Sequence, residues 1–161
     1  MAIPDSDLQH RLQAEAEQLE LLAAALEAEH EALGRNDLEG LEAVIADKEA
    51  RVARVQECSE ARSRLLQEAG FTVDEAGMTA ALEQAAPEQR EALAETWRSI
   101  KERLQACQHQ NEINGRVVRE GMRFSRQALH LLVGGNAPGS ELYGRDGNTI
   151  GDYGSRSHAK V

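Results

Sequence analysis

Hydrophobic positions in the first quarter of the chain recur at helical spacing. Leu8, Leu12, Leu19, Leu22, Leu26 and Leu33 stand three, four or seven residues apart, forming one apolar stripe on an otherwise polar surface. Pro4, Asp5 and Ser6 mark a helix start, Ser6 and Gln9 have capping-box spacing, and Gly34 supplies a stop, so a helix is predicted to about Leu33. Asn36 with Glu39 repeats the capping pattern. From there Leu38, Leu41, Ile45, Lys48, Val52, Val55, Ser59, Arg62 and Leu66 continue at near-heptad spacing toward Gly70, which predicts a second long helix. Its polar seam positions Lys48, Ser59 and Arg62 suit a register device, because a slipped pairing would bury unpaired groups.

Between Phe71 and Ala86 the texture changes. Asp74 can cap a short helix carrying Met78 and Leu82, while Gly70 and Gly77 loosen the segment, so a turn with a weak helix is predicted. Pro87 opens a periodic segment reaching Val133, since proline suits the first helical turn. Its stripe runs through Leu93, Trp97, Ile100, Leu104, Cys107, Asn111, Asn114, Val118, Met122, Ser125, Leu129 and Leu132. The stripe is apolar to Leu104, then small or amide from Cys107 to Asn114. Gly115 and Gly121 follow, each costing about 1 kcal/mol relative to Ala in a helix; the helix is expected to be weakest there and open to bending. Residues 134–161 hold seven of the thirteen glycines and few aliphatic side chains, as a flexible tail would. The pattern as a whole predicts an all-α fold: an elongated antiparallel helical bundle or coiled coil of three main helices, with a short connecting helix and a flexible C-terminal tail. Residues 1–133 would form the helical domain and 134–161 the tail.

Composition sharpens this picture in two ways. With 41% hydrophobic but only 3% aromatic residues, the core must be built from Leu, Val and Ala, which suits a helical seam better than a sheet sandwich. The formal charge of −10 is unevenly placed: residues 1–86 carry a net −12, residues 87–133 a net +2, and the remainder none. An acidic first half disfavours nucleic acid and anionic membrane as partners, because phosphate binding needs clustered Lys and Arg. Cys58 and Cys107 lack zinc-site spacing and are expected to be reduced, and no apolar run reaches membrane-span length. A cytoplasmic setting with no membrane insertion is expected.

Candidate chemistry is sparse. Glu27 and His30 have the Glu-x-x-His spacing of helical di-metal sites but no second copy on another helix, so solvated charge is the better reading and no metal or cofactor is expected. Nucleophile and phosphate-loop motifs are absent, and the chain reads as a binding protein rather than an enzyme. Asn111, Asn114 and Gly115 have two readings: buried amides that set register, or a hinge after which the chain moves. The following segment places Val117, Val118, Met122, Phe124, Leu129 and Leu132 among Arg116, Arg119, Arg123 and Arg126. It is either core packing or an adaptable partner-binding surface. In the tail, Leu142, Tyr143 and Gly144 belong either to a local hairpin at the Asp146-Gly147 turn signal or to a short docking motif anchored by Tyr143.

These segments together resemble a known family. Asp47-Lys48-Glu49, Asn111-Glu112-Ile113-Asn114-Gly115, Ala128-Leu129-His130-Leu131-Leu132 and Leu142-Tyr143-Gly144-Arg145-Asp146-Gly147 are similar to segments of the FlgN-type flagellar export chaperones, over roughly Leu8 to Gly147. The resemblance implies a cytoplasmic helical chaperone that binds hook-filament junction proteins, shields their C-terminal helices and delivers them to the flagellar type III export machinery. It places the client on residues 114–133 and the contact with the export gate or ATPase-complex components on Tyr143. Two other classes stay open on the residues alone: a structural coiled-coil subunit that self-assembles without a client, and a helical enzyme or metal carrier built around Glu27 and His30.

Overall fold

A computed structural model describes residues 3–133, which form four helices joined by short connectors: α1 is Asp5–Arg35, α2 Leu38–Glu68, α3 Glu75–Gln84 and α4 Pro87–Leu132. The all-α expectation holds. The chain divides into two units, Met1–Arg116 and Val117–Val161.

Helix ends follow from local chemistry and correct three of the predicted signals. α1 begins at Asp5 after Pro4 with no side-chain cap, so the Ser6–Gln9 capping box is not formed. The Asp5 carboxylate instead accepts from the Ala86 amide at 2.9 Å, tying the start of α1 to the start of α4. α1 passes through Gly34 and stops at Asn36, whose left-handed backbone (φ 55°) lets the Asn36 and Asp37 amides return to the Leu33 and Ala32 carbonyls. The cap of α2 is Asp37 rather than Asn36, with Oδ1 accepting from the Gly40 amide at 2.9 Å. α2 closes in the same manner as α1, here with Gly70 at φ 85° and the Phe71 amide returning to the Leu66 carbonyl.

The short helix is better built than its glycines suggest. Asp74 caps it, accepting from the Gly77 amide at 2.9 Å and the Thr72 hydroxyl at 2.6 Å. Gly77 is buried, and any Cβ there would collide with the Thr72 carbonyl, so the residue is required by close approach rather than by looseness. Met78, Ala81, Leu82 and Ala85 enter the same core as Leu8, Leu12, Leu66 and Leu93.

Two cross-helix ion pairs set the antiparallel register of α1 and α2. Glu15 meets Arg62, and fourteen residues along each helix Glu29 meets Lys48, both at 2.7 Å. α4 runs parallel to α1: the Cys107 thiol faces the Leu19 carbonyl and, one heptad further on both helices, Asn114 bonds the Leu26 carbonyl. Helical assignment continues through Gly115 and Gly121, the region expected to be weakest.

Candidate functional site

Asn114 is 1% exposed, and both its amide hydrogens and its oxygen are engaged. Its Nδ2 donates to the Leu26 carbonyl at 2.9 Å and to Glu29 Oε2 at 2.8 Å, while its Oδ1 accepts from Gln110 Nε2 at 3.0 Å and faces His30 Nδ1 at 3.1 Å. Glu29 in turn accepts from Lys48, which also approaches Asn111 Oδ1 at 3.4 Å. One buried amide thus links α1 and α4 and shares the carboxylate that links α1 and α2. Asn111 itself is exposed and Gly115 half-buried.

The Glu27 to His30 stretch also differs from a uniformly solvated face. Glu27 and His30 are exposed, but Glu29 between them is buried and paired. Among the described residues no group of three metal-ligating side chains converges.

A second buried group lies further along the same seam. The Arg62 guanidinium donates to both oxygens of Glu15 and to the Ser59 hydroxyl, and its carbon stands 4.6 Å from the centre of the Trp97 ring. Beside it, an apolar cleft of about 390 Å³ opens between α1, α2 and α4, with Leu19, Leu22 and Leu26 as floor and Val52, Val55 and Leu104 in its walls. Both cysteines are free thiols. Burial pushes each above the ordinary thiol value; Glu15 and Glu57 add to the effect at Cys58, and Arg103 partly opposes it at Cys107. Neither is an activated nucleophile.

Past Asn114, burial stops. Phe124 is 74% exposed, Leu129 62% and Leu132 83%; Val117 and Met122 are exposed as well, and Val118 is half-buried. Leu131 and Val133, next to the candidate residues, are also exposed. Arg119, Arg123 and Arg126 are exposed, and none forms an ion pair with another described residue. The last turns of α4 therefore carry large apolar side chains that are exposed. Leu142, Tyr143 and Gly144 lie outside the described residues.

The sequence reading overlooked two members of this arrangement, Glu15 and Glu29. They occupy the seven-residue gaps in the α1 stripe, between Leu12 and Leu19 and between Leu26 and Leu33, and their spacing of fourteen matches that of Lys48 and Arg62 on α2. That match was the available signal.

Fold and site together define a class: a helical bundle with paired charges in its seam, continued by a helical segment whose apolar face has no cover among the described residues. Comparison with known proteins assigns the family. Residues 1–150 match the FlgN protein family, and the chain belongs to it. Among solved structures, the chain is similar in fold to a flagella synthesis protein FlgN from Pseudomonas aeruginosa. The TM-score is 0.63 at 24% identity, over 73% of this chain and 91% of that one. No protein with a curated description matches the chain. Among the described residues no helix is long and apolar enough to cross a membrane.

Proposed function

We propose that the protein is a cytoplasmic flagellar type III export chaperone. It binds hook-filament junction (hook-associated) proteins, prevents their premature assembly and delivers them to the export gate. Membership of the FlgN family supports a flagellar role. The observation that carries the finer reading is the uncovered apolar face of Val117, Met122, Phe124, Leu129 and Leu132 on the end of α4. A client helix laid against that face removes apolar area from water at about 25 cal/mol per Å², offset by the ordering of both partners. Moderate net affinity follows, which suits a carrier that must release its cargo. The protein acts by binding and performs no catalysis.

The family match extends through Leu142, Tyr143 and Gly144, and these residues provide the contact with the export gate or its ATPase complex. Two partners then occupy different segments, and a chaperone holding a client can engage the gate without releasing it. The test is co-purification with junction proteins expressed alongside. Leu129→Asp is expected to abolish client retention while Tyr143→Ala leaves it intact; loss in both variants, with folding unchanged, contradicts separate sites. If the intact chain retains no junction protein and instead forms a tight oligomer that buries the Val117–Val133 face, the self-assembly reading replaces this one.

A further inference from the structure

The end of α4 has a second property that a client alone does not explain. At roughly 100° per residue, Leu131, Phe124, Val117, Ala128, Gly121, Leu132, Ser125, Val118, Leu129, Met122 and Val133 fall in that order across an apolar or small-residue arc of about 200°. The opposite arc holds Arg126, Arg119, His130, Arg123, Gln127 and Glu120, so its charge is three arginines against one glutamate. A single docked helix covers a stripe of about 100°, half of what is offered. A bilayer interface, by contrast, takes in half the circumference of a helix lying in its plane, with arginines reaching up to lipid phosphates and aromatic and aliphatic side chains below.

We propose that residues 117–133 form an interfacial amphipathic helix that seats the client-free protein on an anionic lipid surface. The occupant is set by charge: Arg119, Arg123 and Arg126 form no ion pair with another described residue, in contrast to Arg62 and Lys48 of the bundle, each of which meets a buried carboxylate. Gly121, Ser125 and Ala128 lie within the apolar arc, which leaves Leu132 at its middle, Val117, Val118 and Leu129 on either side, and Phe124 toward one edge as the aromatic anchor. The helix lies in the surface and does not cross it. The acidic bundle, with net −12 over residues 1–86, is repelled by the same surface, so attachment is weak and salt-sensitive. That balance makes the segment a reversible contact.

The experiment is co-sedimentation of the full chain with vesicles of phosphatidylcholine alone, or of phosphatidylcholine mixed with an equal part of phosphatidylglycerol, at low and at high salt. Binding is expected on the mixed vesicles at low salt, weak on phosphatidylcholine, and reduced at least tenfold by high salt. Each arginine contributes about fivefold near an anionic surface, so R123E/R126E is expected to lose binding by more than tenfold. F124S/L129S loses it as well, and both variants keep the circular dichroism of the unmodified chain. Equal binding to both vesicle types, or no binding by the unmodified chain, overturns the proposal. So does self-association through this face in place of vesicle binding. Because no junction protein is present in the assay, its outcome is independent of client capture.

Discussion

Residues 3–116 and 117–133 treat the same side-chain types in opposite ways. In the first, the stripe leucines Leu8, Leu12, Leu19, Leu22 and Leu26 are buried and the seam cations have carboxylates, as Arg62 has Glu15 and Lys48 has Glu29. In the second, leucines face water and the arginines have no partner among the described residues. The contrast teaches that the periodicity of an amphipathic helix states only that a face will be covered. What covers it must be read from burial, and the large apolar side chains of the second segment are exposed.

The largest effect is expected where the bundle's charges are broken. Glu15→Ala strands the Arg62 guanidinium beside Trp97 and is expected to destabilise the bundle by about 3–5 kcal/mol, measured by denaturant unfolding. The double replacement of Glu15 and Arg62 by Leu and Met is expected to restore most of this, since apolar side chains of similar volume can replace a buried pair. A smaller loss, about 2 kcal/mol, is expected for Asn114→Leu, which removes the cross-helix donor to the Leu26 carbonyl and leaves one oxygen of the buried Glu29 carboxylate without its partner. Substitutions in the second segment sharpen the comparison from the other side. Met122→Asp and Leu129→Asp are expected to change stability by no more than about 0.5 kcal/mol, although the same changes in the α1 stripe would unfold the bundle.

The smallest effect concerns the cap of α3. The Thr72 hydroxyl, and after it the Gly77 amide, hold the Asp74 carboxyl below its ordinary value. With a folded-state value below the unfolded one, the cap's contribution is complete above the ordinary carboxylate range and is lost as pH falls through the folded value. Protection of the α3 amides, with the intrinsic pH dependence of exchange divided out, is therefore expected to fall on acidification below about pH 4, and Asp74→Asn should remove most of that pH dependence of protection.

Much of the fold was legible because each helix carries its own stripe. Leu8 to Leu26 on α1 and Leu93 to Cys107 on α4 predict the buried faces nearly residue for residue, with Leu104 left partly exposed on the cleft. Helix ends were less legible. Pro4, Asn36 and Asp37 compete with Ser6, Gly34 and Asn36 for the same roles, and a shift of one or two residues reverses the assignment without altering any stripe. Gly77 was misread because a glycine kept for close approach to the Thr72 carbonyl looks identical in sequence to one that loosens a helix. Glu15 and Glu29 were missed because an acid at a core position is recognised only by its partner on another helix, here fourteen residues from the next pair in both strands of the seam. For the candidate site, the apolar and basic residues of 117–133 were legible as a group, but their exposure was not, since core and partner surfaces share one periodicity.

The central claim is that residues 117–132 of α4 receive the client while the bundle only supports them. Hydrogen exchange across the full chain, with and without a bound hook-filament junction protein, tests it most directly. Strong new protection confined to residues 117–132, with α1, α2 and the cleft around Leu22, Val55 and Leu104 unchanged, is the expected result. Protection centred on that cleft, with residues 117–132 exchanging as in the free protein, would contradict it.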